Sequence, residues 1–351
     1  MTPDQEESLR LVRDSAGGIA PRTGDFKRIR ALRSTSAGFD REIWSQMAGL
    51  GWLSARLTED EGGLGLGMAG FCAIAAELGQ ALAPEPFCSA AAVIGLLPET
   101  LRERALAGEL LVVPAWQETP GGLHIGTDAR FGDGKVQGAK ILVSAAGGAD
   151  AFLVTTQAGL VYVEAAAAGV HIESRGTQDG GHFSLVRFDG APGTAVLGQL
   201  EDALEDVTLA TSAYLLGAAE RAFAMTLDYL SIRKQFGKFI GSFQVLQHRC
   251  VDMKIQIELG RAVLNEAIAV TDEGGSIHER RMTVSRAKAR ISDLVSLVSR
   301  ESIQMHGAIG VTEEHDIGLF CRKALTLYNQ YGTARWHRAR YLELSRTKVE
   351  A

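Results

Sequence analysis

The chain has 351 residues, 46% hydrophobic and 22% charged, with a net charge of -6 and a pI near 5.8. Those proportions exclude a disordered or fibrous chain and leave room for two or three packed units. The acidic balance excludes a nucleic-acid groove as the main function, because neutralising phosphates needs clustered basic surface.

The polar start MTPDQEESLRLVRD has no apolar secretory core. No apolar run reaches the roughly twenty residues of a membrane span, so the expectation is a cytoplasmic protein without membrane contact. From about residue 39 to 110, FDREIWSQMAGLGWL and GMAGFCAIAAELGQALA carry apolar residues at helical spacing around the turn-rich TEDEGGLGLG, predicting an α-helical domain over residues 1–113. Its glycines follow no strand, which speaks against a phosphate-binding loop. Residues 114–200 change to short β-branched runs between Gly/Asp turns, such as GKVQGAKILVSA and HFSLVRFDG, predicting a sheet or small barrel. Residues 201–351 hold three helical patterns of about thirty residues, on the order of 45 Å each. Apolar stripes of that length must bury one another, so a long-helix bundle is expected.

Cys72, Cys88, Cys250 and Cys321 lack C-x-x-C pairing and read as inert thiols. The histidines are too scattered for a metal set or a Ser-His-Asp arrangement. Trp44, Trp52 and Trp116 read as packing residues. His248, Arg249, Arg335, His337, Arg338 and Arg340 read as a basic solvated or intersubunit face, and His306 as a packing or capping residue.

The break between the first two long helices reads RKQFGKFIGSFQ. Arg233 offers a permanent cation whose donor fork suits phosphate oxygens. Phe236 offers a ring that can cover a flat base, and Gly237 permits close backbone approach. Cations at a helix end also complement the helix dipole, and spacing alone leaves both readings open.

Arg233, Phe236 and Gly237 in R-x-x-F-G, Gln244 beyond them, and Gln304-Met-His-Gly307-Ala308-Ile-Gly310 followed by Arg322 resemble the acyl-CoA dehydrogenase family. GLGWL with EDEGGLG, AAELG and Gly138-Ala-Lys140 extend the resemblance over nearly the whole chain. It implies a mainly α fold with a central β domain: an N-terminal helical domain, a middle β-barrel and a C-terminal four-helix bundle. It also implies FAD as cofactor, with Arg233, Phe236, Gly237, Gln244, Gln304, Gly307 and Ala308 reaching a neighbouring subunit's flavin.

The family reaction removes an α-proton from an acyl-CoA thioester while hydride leaves the β-carbon for the flavin, and it needs a carboxylate base. Alignment on Gln304 puts Tyr331 at one family position for that base; counting back from Arg233 puts Val207 at the other. Valine has no proton chemistry, and a phenol with a pKa of about 10 is a poor base near neutrality. Asp206 stands first as a substitute, ahead of Glu205, Glu313 and Glu314. Each helical step turns a side chain by about 100°, so Asp206 and Glu205, one and two steps from Val207, point off the acyl chain, and Glu313 and Glu314 read as first-turn helix residues.

The family's T-E-P-x-x-G-S-D stretch is replaced by Gln117-Glu-Thr-Pro-Gly-Gly-Leu-His124, and its W-I-T by Leu142-Val143-Ser144. Ser144 and Thr333 retain hydroxyls that the resemblance places near flavin. What is kept serves a neighbour's flavin; what is lost is the chain's own base and stacking surface. The resemblance therefore extends to the non-catalytic subunit of α2β2 steroid-CoA dehydrogenases, paired with a paralogous catalytic chain. Three alternatives are a homotetrameric dehydrogenase using Asp206, a flavin monooxygenase on the same scaffold, and a binding protein without FAD, which the retained grip argues against.

Overall fold

The computed structural model describes residues 3–19, 21, 26–33 and 35–347; the outermost residues of the domains expected over 1–113 and 201–351 lie outside them. The chain divides into two units, one comprising residues 1–19, 27–71 and 84–207, the other 20–26, 72–83 and 208–351.

In the first unit, helices α1 (Pro3–Ile19), α2 (Lys27–Leu32), α3 (Arg41–Gly49), the start of α4 (Gly67–Gln80), α5 (Phe87–Ala90) and α6 (Glu99–Leu106) precede the strands. Asp40 caps α3 by accepting from the Glu42 amide at 2.9 Å. Trp44, Trp52 and Trp116 are all buried, in agreement with their reading as packing residues. The strands are β1 (Val112–Ala115), β2 (Arg130–Gly132), β3 (Lys135–Ser144), β4 (Ala151–Thr156), β5 (Gly159–Glu164), β6 (Val170–Gly176), β7 (His182–Pro192) and β8 (Thr194–Val196). They form two four-stranded sheets, ordered β1-β4-β5-β8 and β2-β3-β7-β6.

The sequence alternation explains which faces meet. β1 and β4 are buried at every residue, whereas β7 buries Ser184, Val186, Phe188 and Ala191 and turns the residues between them outward. The Phe152 and Phe188 rings, one from each sheet, meet edge to face at 6.1 Å. β3 is bulged between Lys140 and Val143, leaving Leu142 half-exposed at a φ of +54°. That bulge is where the resemblance expects a tryptophan.

The second unit is built on α7 (Leu200–Ile232, its residues from Thr208 onward), a hairpin of β9 (Lys234–Gln235) and β10 (Lys238–Phe239), α8 (Gln244–Asp272), α9 (Ile277–His306), α10 (Ile317–Leu327) and α11 (Ala334–Thr347). α9 begins with a capping box: the Ser276 hydroxyl accepts from the Glu279 amide at 3.2 Å, and the Glu279 carboxylate accepts from the Ser276 amide at 3.3 Å. It buries Val284, Ala287, Ile291, Leu294, Val295 and Val298, the 3- and 4-residue spacing of a core stripe, against α8, α10 and α11. A Cβ on Gly79 of α4 would meet the Tyr214 carbonyl oxygen of α7 at 1.9 Å, and one on Gly217 of α7 would meet that of Ala76 at 2.1 Å. Two backbones therefore cross without side chains between them, which gives AAELG its physical meaning.

Candidate functional site

The grip residues of the second unit lie in two pieces. Arg233 follows α7 and its amide still donates to the Tyr229 carbonyl at 3.0 Å; the Ile240 amide then donates back to the Arg233 carbonyl at 2.9 Å. Between them Gln235 pairs with Lys238, and the two linking residues, Phe236 and Gly237, have φ of +52° and +77°. Two positive φ values in a two-residue hairpin loop are the signature of a type I′ turn, whose twist matches the strands. Glycine accepts this freely; a phenylalanine does so only under strain. The Phe236 side chain is nevertheless presented to solvent, at 88% exposure. Lys234 lies 4.6 Å from the Phe239 ring centroid and Lys238 lies 4.3 Å from that of Phe243, so cations and rings alternate along the hairpin.

The second piece ends α9. Gly307 takes φ +66° and ψ -144°, and its amide donates to the Gln304 and Ile303 carbonyls. Only glycine occupies that region readily. A Cβ on Gly310 would lie 3.0 Å from the Ile303 carbonyl oxygen. The turn thus needs glycine at 307 for its backbone angle and leaves little room for a side chain at 310. Arg233, Phe236, Gly237, Gln244, Gln304, Gly307 and Ala308 are all exposed. An exposed guanidinium and ring beside glycines with open space outside them fit an anionic, flat ligand approaching from beyond the chain.

The positions expected for a base are different in kind. Val207 is fully buried and Tyr331 is 8% exposed. Asp206 is 1% exposed and forms an ion pair with Arg56, so a fixed cation accompanies that carboxylate. Glu313 lies 2.5 Å from Arg322. It and Glu314 precede α10, which starts at Ile317; the reading of them as first-turn residues is corrected, because the chain from Thr312 to Asp316 forms a turn first.

Tyr331 sits in a segment held from beneath. The buried Lys288 amine donates to the carbonyls of Tyr328 at 2.7 Å and Gly332 at 3.4 Å. His337 Nε2 donates to the Tyr331 carbonyl at 2.8 Å, and the ring's Nδ1 lies 3.3 Å from the Ser285 hydroxyl. Burial pulls Lys288 down to about 7; burial, with the neighbouring Lys288 charge, pulls His337 down to about 3. His337 is therefore no part of a basic face, as its sequence neighbours suggested: it is fully buried. A histidine among arginines gives no sign of burial until the fold turns it inward. Thr333 uses its hydroxyl to accept from the Trp336 amide at 3.1 Å, starting α11.

In the first unit, Ser144 ends β3, half-buried. Glu118, within the altered 117–124 stretch, is clamped: Lys140 donates to it at 2.5 Å and the Asp128 and Ala129 amides at 3.0 and 3.1 Å. Lys140 also donates to the Gly126 carbonyl at 2.7 Å. Among the described residues no His/Cys/Asp/Glu group could hold a metal, and no helix is long and apolar enough to cross a membrane.

Residues 4–101 match the acyl-CoA dehydrogenase N-terminal domain and residues 198–343 the acyl-CoA dehydrogenase C-terminal domain. The chain is similar to acyl-CoA dehydrogenase IpdE2 of Mycolicibacterium smegmatis, 29% identical over 323 residues, covering 91% of this chain and 92% of the relative. Its fold is similar to the Tcur3481-Tcur3483 steroid ACAD, with a TM-score of 0.89 and 26% identity over 99% of this chain and 100% of that one. The ChsE4-ChsE5 complex from Mycobacterium tuberculosis shares the fold at a TM-score of 0.82 and 24% identity, over 100% and 98% of the two chains. The chain belongs to the acyl-CoA dehydrogenase family, whose cofactor is FAD.

Proposed function

We propose that this chain is the non-catalytic subunit of an α2β2 acyl-CoA dehydrogenase, completing the FAD site of a paralogous catalytic chain. The observation that carries the reading is a contrast in placement. Arg233, Phe236, Gly237, Gln244, Gln304, Gly307 and Ala308 are all exposed, while the base positions hold buried Tyr331 and Val207. FAD, when bound, accepts the hydride that leaves the acyl β-carbon. This chain's share is binding: Arg233 neutralises phosphate charge, Phe236 covers a flat ring, and Gln244 and Gln304 offer amide hydrogen bonds.

A surface for such a partner adjoins the grip. Val251, Ile255 and Leu259, spaced by four along α8, are 47–55% exposed, with Val245 and Ile232 still more so. A contiguous apolar stripe of that kind marks an interaction face. The thioester class carries over by analogy with the steroid ACAD of similar fold, giving a bulky steroid-CoA substrate.

Co-expression with a dehydrogenase chain that carries the family glutamate tests the reading. Arg233→Ala in this chain should strip FAD from the complex and abolish turnover, and Arg233→Lys should not restore it, because a point charge lacks the fork. Unchanged flavin in Arg233→Ala refutes the proposal.

A further inference from the structure

We propose that Tyr229 and His306 are positioning residues: their stacked rings tie the arginine hairpin at the end of α7 to the glycine turn at the end of α9, and so set the spacing between the two halves of the grip. The inference rests on the reading of that grip as a flavin-nucleotide site.

Each ring is joined covalently and by hydrogen bonding to one half. Tyr229 lies one helical turn before Arg233 and accepts its amide through its own carbonyl at 3.0 Å. His306 is the last residue of α9 and immediately precedes Gly307. The two rings stack with centroids 4.4 Å apart and 23° between planes. The His306 Nδ1–H donates to the Ser302 carbonyl at 2.7 Å, which fixes the ring's rotation. The His315 ring flanks the stack, its centroid 4.6 Å from that of His306 and 6.0 Å from that of Tyr229. His315 is held in turn, accepting the Ile317 amide at 3.1 Å where α10 begins.

His306 is 3% exposed, and its Nε2 has no hydrogen-bond partner among the described residues. A buried acceptor without a donor is unfavourable, so hydrogen bonding at that nitrogen does not account for the residue; a flat ring in contact with both Tyr229 and His315 does. Two short segments distant in sequence, each exposed on its outer side, thereby share one fastening, buried at His306 and half-buried at Tyr229. A shift in it moves Arg233 relative to Gly307, and a pyrophosphate spanning both would lose one contact while keeping the other.

Amide hydrogen exchange on the full chain tests this directly. Deleting either ring, by His306→Ala or Tyr229→Ala, should speed exchange of the Arg233 and Ile240 amides by about fivefold or more, with the exchange of the β3–β7 ladder unchanged as a control for folding. His306→Phe should restore most of the protection lost in His306→Ala, since it keeps a flat ring against Tyr229 and loses only the hydrogen bond to the Ser302 carbonyl. In the complex with its dehydrogenase partner, both ring deletions should weaken FAD about fivefold or more while His306→Phe retains affinity. Unchanged hairpin exchange in both deletions overturns the tie, as does a His306→Phe variant as impaired as His306→Ala. If Arg233→Ala weakens FAD while neither ring deletion does, the tie is refuted and the nucleotide reading stands; if Arg233→Ala leaves FAD affinity unaltered, it is the nucleotide reading that fails.

Discussion

Lys288 and His337 show how a single buried side chain carries a pH signature. His337 titrates at about 3 in the fold against its usual 6.5, so between those values the unfolded chain binds the extra proton. Its contribution to stability is complete above pH 6.5 and is lost as pH falls toward 3. Lys288 titrates at about 7 against 10.5, so stability climbs as pH rises from 7 to 10.5. Each slope is at most about 1.4 kcal/mol per pH unit. Urea unfolding across pH should show His337→Phe flattening the acid limb and Lys288→Met the alkaline one; slopes unchanged in both variants contradict the burial account. Neither residue's role was legible in the sequence, where Lys288 sits among Arg280, Arg281, Arg286 and Arg290 and burial leaves no local mark. The turn at Gly307 was legible because a glycine-only backbone is carried by residue type, whereas the role proposed for Arg233 rests on the resemblance, its residue type alone leaving two readings open.

Elements were readable where periodicity is long and hidden where a few residues decide. The three long helices fall close to their expected spans, at Leu200–Ile232, Gln244–Asp272 and Ile277–His306, since thirty residues average out local noise. The break between the first two gave no hint of a strand pair, because two-residue strands have no alternation to detect. Its turn makes a testable conflict: Phe236 holds a left-handed backbone that asparagine tolerates better. Phe236→Asn should raise the stability of the isolated chain by about 1 kcal/mol in thermal unfolding and weaken flavin retention in the complex. A variant that is neither more stable nor poorer in flavin contradicts a functional cause for that strain. The crossing of α4 and α7 behaves oppositely. Gly217→Ala forces a Cβ onto the Ala76 carbonyl and should cost about 1–3 kcal/mol in denaturant unfolding; a neutral effect shows that the helices separate freely.

At the scale of the molecule, the order of helical, β and long-helix segments along the chain is characteristic of the family, and the two domain matches agree with it. The proposed division of labour between unlike chains is harder to read, since one chain shows only which groups face outward and which positions lack a carboxylate. The ratio of FAD to polypeptide, measured on this chain alone and co-expressed with a dehydrogenase chain that carries the family glutamate, tests that proposal most directly. One flavin for each pair of unlike chains, and none retained by this chain by itself, is the predicted result. One flavin for each copy of this chain alone, bleaching when an acyl-CoA is added, contradicts it.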